Sequence, residues 1–250
     1  MANLMRTANP TLNDATFQGR LRAKGDTTVM TLNGTVNKCL TLLLLAFLSA
    51  IYSWNHSMAD EVAGGTLIAG GSIGGLIAAI VTIWRKHWSQ YTAVIYAVLE
   101  GLALGAISAA FEFKYPGIAA QAVGLTLGTL FCLLIAYKTG FIKPTDNFKL
   151  GVVAATGAIF VVYLVGFLLS LFGIQSLSID QTGWLAIGIS GFVVVVAALN
   201  LVLDFDFIEQ GLAEGAPQYM EWYAAFGLLV TLVWLYIEML RLLARLAGRK

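Results

Sequence analysis

The stretch WLAIGISGFVVVVAALNLVL, residues 184–203, decides the fold class of this chain. It runs for 20 residues without a charged side chain, and a helix of about that length crosses the hydrocarbon layer of a bilayer. Lipid offers no partner for backbone N–H and C=O groups, so such a run must form a helix or belong to a closed barrel. The alternation of apolar and polar residues that barrel strands need is absent, which predicts a transmembrane helix.

Six further apolar runs of spanning length lie on either side of this one. They are Thr35–Trp54, Thr66–Trp84, Tyr91–Phe113, Gly117–Tyr137, Leu150–Ile174 and Tyr219–Leu243. Charged residues make up only 12% of the chain, against roughly a quarter in soluble proteins. We therefore predict an all-α polytopic membrane protein: a flexible polar N-terminal arm, residues 1–34, followed by one seven-helix transmembrane domain, residues 35–250.

Several classes of protein are excluded by composition and motif. The net charge of +1 leaves no broad basic surface, so no nucleic acid is expected as a partner. Cys39 and Cys132 are too few for a disulfide framework and are interpreted as buried thiols. No phosphate loop, nucleophile elbow or zinc-protease pattern occurs, so we expect neither an enzyme nor a bound cofactor. No cleaved signal peptide is predicted, and the sequence predicts no oligomeric state.

The distribution of bases predicts the orientation. A cytoplasmic N-terminus would place ten of the 15 Lys and Arg residues inside, as the positive-inside rule favours. A basic cluster at the C-terminus breaks this pattern: Arg241, Arg245, Arg249 and Lys250. Either the seventh helix crosses fully, or it enters and returns on the same side. Full crossing is favoured, because no Gly or Pro after Gly227 interrupts the run.

Acidic residues accumulate where the sequence offers no base. From Leu150 to Leu240 there is no Lys, Arg or His. The acids of this stretch are Asp180, Asp204, Asp206, Glu209, Glu214, Glu221 and Glu238. Carboxylates near lipid must share protons, meet water or bind a cation, so we expect the function here.

Two aspartates follow the sixth run directly. Asp204 ends the run and is predicted to turn inward with Asn200, one helical turn earlier. Asp206 would point about 200° away on a continuing helix, toward water. For Asp204, an ion-path role competes with a role in helix capping or simple solvation.

Three glutamates are the other candidates. Glu100 lies near the middle of the third run and must face the interior, either as a structural acid or as a relay for protons or cations. Glu221 begins the seventh run on the same side as Asp204 and is a feasible neighbour. Glu238 is nearly a membrane thickness away and is predicted to form a structural ion pair with Arg241.

Four segments carry a family resemblance. They are EGLALG at 100–105, PGIAAQA at 116–122, Leu203-Asp204, and EMLRLL at 238–243. With them the chain resembles the Bax inhibitor-1 family over nearly its whole length, and within it the bacterial YccA-like branch. The resemblance implies a multi-pass protein of the bacterial inner membrane, in which six helices surround a central last helix. It also implies a pH-sensitive Ca²⁺ leak gated by two aspartates between helices six and seven.

The resemblance assigns roles residue by residue. Asp204 matches the first aspartate and would contact Ca²⁺, whereas Thr231 stands where the second is expected. Asp206 or Glu221 would then have to replace the missing carboxylate. We expect conduction of cations, Ca²⁺ in particular, past Glu100 and Asp204, with Ca²⁺ or protons as the partners. The alternative is an interaction protein that modulates a membrane-bound protease of the FtsH type, which a basic N-terminal arm would suit. A proton-coupled transporter is disfavoured because no repeat symmetry is visible.

Overall fold

The computed structural model describes residues 28–172 and 183–248. In this part of the chain seven helices are long and apolar enough to cross a membrane. They are α1 (Leu32–Ala59), α2 (Glu61–Trp84), α3 (Ser89–Lys114), α4 (Ile118–Lys138), α5 (Asp146–Leu171), α6 (Trp184–Ala213) and α7 (Met220–Ala247). A short 3₁₀ helix, Lys86–Trp88, joins α2 to α3. The predicted all-α polytopic fold is confirmed.

Side-chain caps define where three of the helices begin. The Thr31 hydroxyl accepts from the Gly34 N–H at 3.0 Å, and the Thr145 hydroxyl accepts from the Phe148 N–H at 3.4 Å. Asp60 accepts from the Val62 N–H at 2.9 Å and alone separates α1 from α2. Each cap satisfies an N–H group that the first helical turn leaves unpaired.

The start of α1 lies earlier than the sequence predicted, and the arm is shorter. The Met30 N–H donates to the Ala216 carbonyl at 2.7 Å, and the Gln218 N–H donates to the Thr28 carbonyl at 3.1 Å. The α6–α7 turn therefore holds the segment that precedes Leu32, and the arm boundary at residue 34 was placed too late. Residues 1–27 of the predicted arm lie outside the described residues.

The last helix is central. One face of α7 joins α4 and α6 in a core that includes Ala122, Leu201 and Leu235. Its other face joins α1, α2 and α3 in a second core that includes Leu42 and Phe226. It is the most buried of the seven spans. It is also one unbroken helix of 28 residues, so the alternative in which it enters and returns was wrong.

Small residues bring neighbouring helices into close contact. A Cβ at Gly71 of α2 would lie 2.6 Å from the Leu99 carbonyl oxygen of α3. Gly101 and Gly105 of α3 likewise lie against the backbone of α1 at Ala46 and Ala50. Small side chains let helix backbones approach closely in membranes, so α1, α2 and α3 form one tight unit.

The two cysteines differ in their surroundings. Cys39 is partly buried, whereas Cys132 is exposed on the outer surface of α4. Neighbouring side chains of α4 also face outward, with Phe131 60% and Ile135 63% exposed. The interpretation of both cysteines as buried thiols was therefore wrong for Cys132, because this end of α4 is covered on one face only.

Candidate functional site

Asp204 occupies an interface of three helices. It lies nine residues before the end of α6, or about 14 Å along the helix axis. Its Oδ2 atom is buried and has no hydrogen-bond partner among the described residues. Cys39 of α1 lies within electrostatic range of the carboxyl group, and Thr231 of α7 lies beside it. The carboxyl group thus faces the centre of the bundle.

Asp204 directly follows the predicted apolar run but lies inside α6. α6 continues to Ala213, because the polar residues of its last turns find partners on other helices. On this continuous helix Asp204 and Asp206 point in different directions. Asp204 faces α1 and α7, whereas Asp206 pairs with Lys149 of α5.

Thr231 is the residue of α7 that faces Asp204. Its hydroxyl lies close to the Asp204 carboxyl group. The same hydroxyl can also donate to the Gly227 carbonyl at 3.3 Å, one turn earlier. A hydroxyl has a single proton to donate, so Thr231 can satisfy one of these two oxygen acceptors at a time.

Asn200 belongs to a different interface. Its Nδ2 atom donates to the Thr156 hydroxyl of α5 at 2.8 Å and to the Val196 carbonyl at 2.8 Å. The expectation that Asn200 turns inward with Asp204 was therefore wrong. The Thr156 hydroxyl of α5 and the Val196 carbonyl, one turn earlier on α6, already accept both amide protons of Asn200.

Two acids of the base-free stretch, Asp206 and Glu221, have basic partners that come from outside it. Lys149 Nζ lies 2.5 Å from Asp206 Oδ2, and Gln210 also donates to that oxygen at 2.5 Å. Glu221 is buried and forms an ion pair with Lys38 of α1. The bases come from segments distant in sequence, so the expectation of unneutralised acids was wrong at Asp206 and Glu221. Both carboxylates are already paired with a lysine, so they are poor replacements for a second aspartate.

Glu238 lies in a polar cluster toward the other end of α7. The Arg241 guanidinium lies 3.0 Å from Glu238 Oε1, and the Tyr163 hydroxyl donates to the same oxygen at 3.1 Å. The guanidinium also lies over the Tyr163 ring, 5.6 Å from its centroid. One turn further on, Arg245 donates to Ser190 and to the Ala186 carbonyl. These contacts fasten α7 to α5 and α6.

Glu100 lies in another interface from Asp204. Its carboxyl group approaches Gly75 of α2, where a Cβ would lie 2.5 Å from Oε2. Tyr96, one turn earlier on α3, is its electrostatic neighbour. Glu100 thus faces inward, toward α2, and no contact in the described residues joins it to Asp204.

Sequence reasoning missed Lys38, Lys149 and Tyr163. A signal existed for Lys38, because a lone base near the start of an apolar run usually has a partner. Tyr163 gave no such signal, since aromatic residues are common in every span.

A model of the family described as Bax inhibitor 1 like matches residues 9–248. The chain belongs to this family. No curated protein and no solved structure matches it.

In the described part of this Bax inhibitor 1 like protein, Asp204 belongs to no cluster of side chains that could hold a metal ion. Within residues 28–172 and 183–248, no group of three or more His, Cys, Asp or Glu side chains could hold a metal ion. The site is thus one carboxyl group with a buried Oδ2 atom, and a threonine and a cysteine lie beside it.

Proposed function

We propose that this Bax inhibitor 1 like membrane protein conducts cations, Ca²⁺ among them, and that Asp204 contacts the ion. The observation that carries the proposal is the Asp204 Oδ2 atom, which is buried without a hydrogen bond from the described residues. A buried carboxylate oxygen is costly unless a proton, a water molecule or a cation satisfies it. In membrane-embedded helices such residues mark ion and proton pathways.

A surface groove with acidic residues in its wall supports an ion route at this end of the bundle. It has a volume of about 470 Å³ and lies between the α4–α5 turn and the last turns of α6. Asp206 and Glu209 contribute carboxylates to its wall, and Lys143 contributes one base. Clefts lined with acids raise the local concentration of cations. Asp204 precedes Asp206 by two residues and Glu209 by five on the same helix.

Because Thr231 stands opposite Asp204, the proposed pH response depends on a single carboxyl group. Protons and cations would compete for the Asp204 carboxyl group alone, because Thr231 cannot take up a proton as a carboxylate does. Asp206 and Glu221 are held by Lys149 and Lys38, so we assign them no part in sensing. Glu100 is proposed as a second acid on the path.

Flux through the reconstituted protein tests this proposal. The full chain is placed in liposomes that contain a Ca²⁺-sensitive dye, and Ca²⁺ is added outside at acidic and at neutral pH. We expect flux in the wild type and its loss in Asp204→Asn. Glu61→Gln is the matched control, since Glu61 is an exposed acid at the start of α2. A wild type without flux at either pH would refute conduction. Full flux in both Asp204→Asn and Glu100→Gln would refute the assignment of these two acids to the ion path.

A second candidate is modulation of a membrane-bound protease of the FtsH type. The observation that favours it is the attachment of Thr28 and Met30 to the α6–α7 turn, which fixes the position of residue 28 beside that turn. Deletion of residues 1–27 should abolish protease modulation and leave flux intact. Undiminished modulation after this deletion would count against the arm.

We also propose a subcellular location for the protein. We infer the YccA-like branch of the family and a bacterial inner membrane from the four segments that carry the resemblance. The proposal assigns the chain no catalysed reaction and no resident cofactor, and Ca²⁺ enters it only as cargo. Fractionation of cells that express the tagged chain would place it in the inner membrane or contradict this assignment.

A further inference from the structure

The turn between α2 and α3 carries two bases that no acid among the described residues neutralises. Arg85 and Lys86 are exposed, and neither takes part in an ion pair within the described part of the chain. Each lies over an aromatic ring instead. Arg85 lies 5.7 Å from the Trp88 ring centroid, and Lys86 lies 5.1 Å from that of Tyr223. Such contacts orient a cation but leave its charge in place.

Two tryptophans place these bases at the level of the lipid headgroups. Trp84 ends α2 and is 81% exposed, and Trp88 immediately precedes α3 and is 49% exposed. Exposed indoles at the ends of spanning helices settle at the boundary between hydrocarbon and water. Arg85 and Lys86 lie between them in sequence and therefore meet the headgroup layer.

The start of α3 adds to the positive potential of the turn. Its first turn contains no acidic residue, and its N-cap residue, Trp88, makes no side-chain cap. The N-terminal end of a helix favours anions through its dipole. Arg85, Lys86 and this helix end thus all favour the binding of an anion at the turn.

The turn is joined to the central helix. The Ser89 hydroxyl donates to the Tyr219 carbonyl at 3.0 Å, directly before α7 begins. Tyr223, which lies under Lys86, is in the first turn of α7. The position of the two bases is therefore fixed by α2, α3 and α7 together.

We propose that the α2–α3 turn binds the headgroup phosphate of an anionic phospholipid, with Arg85 and Lys86 as its two cationic contacts. Two positive charges without acidic partners complement a headgroup with net negative charge better than a zwitterionic one. Basic clusters at the membrane surface attract anionic lipids in this way. The proposal is independent of ion conduction.

Lipid titration of the full-length protein tests the site. The chain is purified in mild detergent and titrated with phosphatidylglycerol or phosphatidylcholine, and bound lipids are counted by native mass spectrometry. We expect the wild type to prefer phosphatidylglycerol. Arg85→Gln/Lys86→Gln should weaken the tightest binding event roughly 25-fold, at about fivefold per base. The matched control is Lys114→Gln, because Lys114 is an exposed base at the opposite end of α3, and it should bind as the wild type does.

The outcomes separate a defined site from general charge attraction. A wild type without preference, a double variant that binds as well as the wild type, or an equal loss in Lys114→Gln would each overturn the proposal. A second measurement needs no variant: photoreactive phosphatidylglycerol should label wild-type peptides that contain residues 84–91 or 219–223. Labelling confined to other peptides would also overturn it.

Discussion

Lys38 of α1 and Glu221 of α7 form an ion pair, although 183 residues separate them in the chain. The Glu221 side chain is 1% exposed and that of Lys38 is 20% exposed. Thr31 adds two hydrogen bonds to Glu221 Oε1, from its N–H at 2.8 Å and from its hydroxyl at 2.9 Å. The first and last helices are thereby joined through one carboxylate.

Removal of that carboxylate should destabilise the bundle. Glu221→Ala leaves the Lys38 ammonium and the Thr31 donors without their acceptor, and loss of one partner of a buried pair costs about 3 kcal/mol. We expect a lower midpoint of thermal unfolding in detergent. Glu214→Ala is the control, because Glu214 is exposed at the end of α6, and its midpoint should not change. Equal midpoints for both variants would contradict a stabilising pair.

The same contact requires a glycine at position 34. A Cβ at Gly34 would overlap the Glu221 carboxylate, which Lys38 and Thr31 hold in place. Gly34→Ala should therefore destabilise the protein by about 1–3 kcal/mol through steric strain. Gly70→Ala is the matched control, since no heavy atom lies within 4 Å of a Cβ there. It should be neutral or stabilising, as Ala is the better helix former. Thermal unfolding measures the difference in stability between the two variants.

The spans could be predicted because the thickness of the hydrocarbon layer demands a minimum apolar length. That requirement is local, and it identified all seven helices. The extension of α6 from Leu203 to Ala213 could not be predicted in this way. Its polar turns are held by residues such as Lys149 and Tyr137 on other helices, which no local pattern reveals.

The site was predictable only in part for the same reason. Helix phase separated Asp204 from Asp206, because two residues on a helix differ by about 200°. The resemblance placed Thr231 opposite Asp204, and the two are neighbours in the structure. The partner of Glu221 was missed, since its contact with Lys38 depends on how α1 and α7 pack.

Glu238 should depend on the Tyr163 hydroxyl. Tyr163→Phe removes the 3.1 Å hydrogen bond to Glu238 Oε1 and keeps the ring that lies under Arg241. A hydrogen bond to a charged group contributes about 1.5 kcal/mol, so we expect a modest fall in the unfolding midpoint. Tyr52→Phe, at an exposed position on α1, is the control and should unfold as the wild type does. An unchanged midpoint in Tyr163→Phe would show that the bond contributes nothing.

Thr231→Asp should strengthen the pH dependence of any Ca²⁺ flux. Two carboxyl groups that face each other hold one proton between them, and they bind Ca²⁺ when both ionise. We expect flux to rise several-fold at neutral pH and to be suppressed at acidic pH in the liposome assay. Thr231→Asn is the matched control, because it adds an amide of similar size without the charge. Identical pH profiles for the two variants would argue against a carboxylate pair at this place.

Seven helices of spanning length predict that the α6–α7 turn and the end of α7 lie on opposite sides of the membrane. The segment Thr28–Met30 lies beside the α6–α7 turn, and α7 then runs unbroken to Ala247. In a background of Cys39→Ser and Cys132→Ser, we expect a cysteine at Glu214→Cys and one added after Lys250 to react with a membrane-impermeant maleimide from opposite faces. Intact cells or sealed vesicles should therefore label one variant and protect the other, and permeabilised membranes should label both. Labelling of both cysteines from the same face would contradict the seventh crossing.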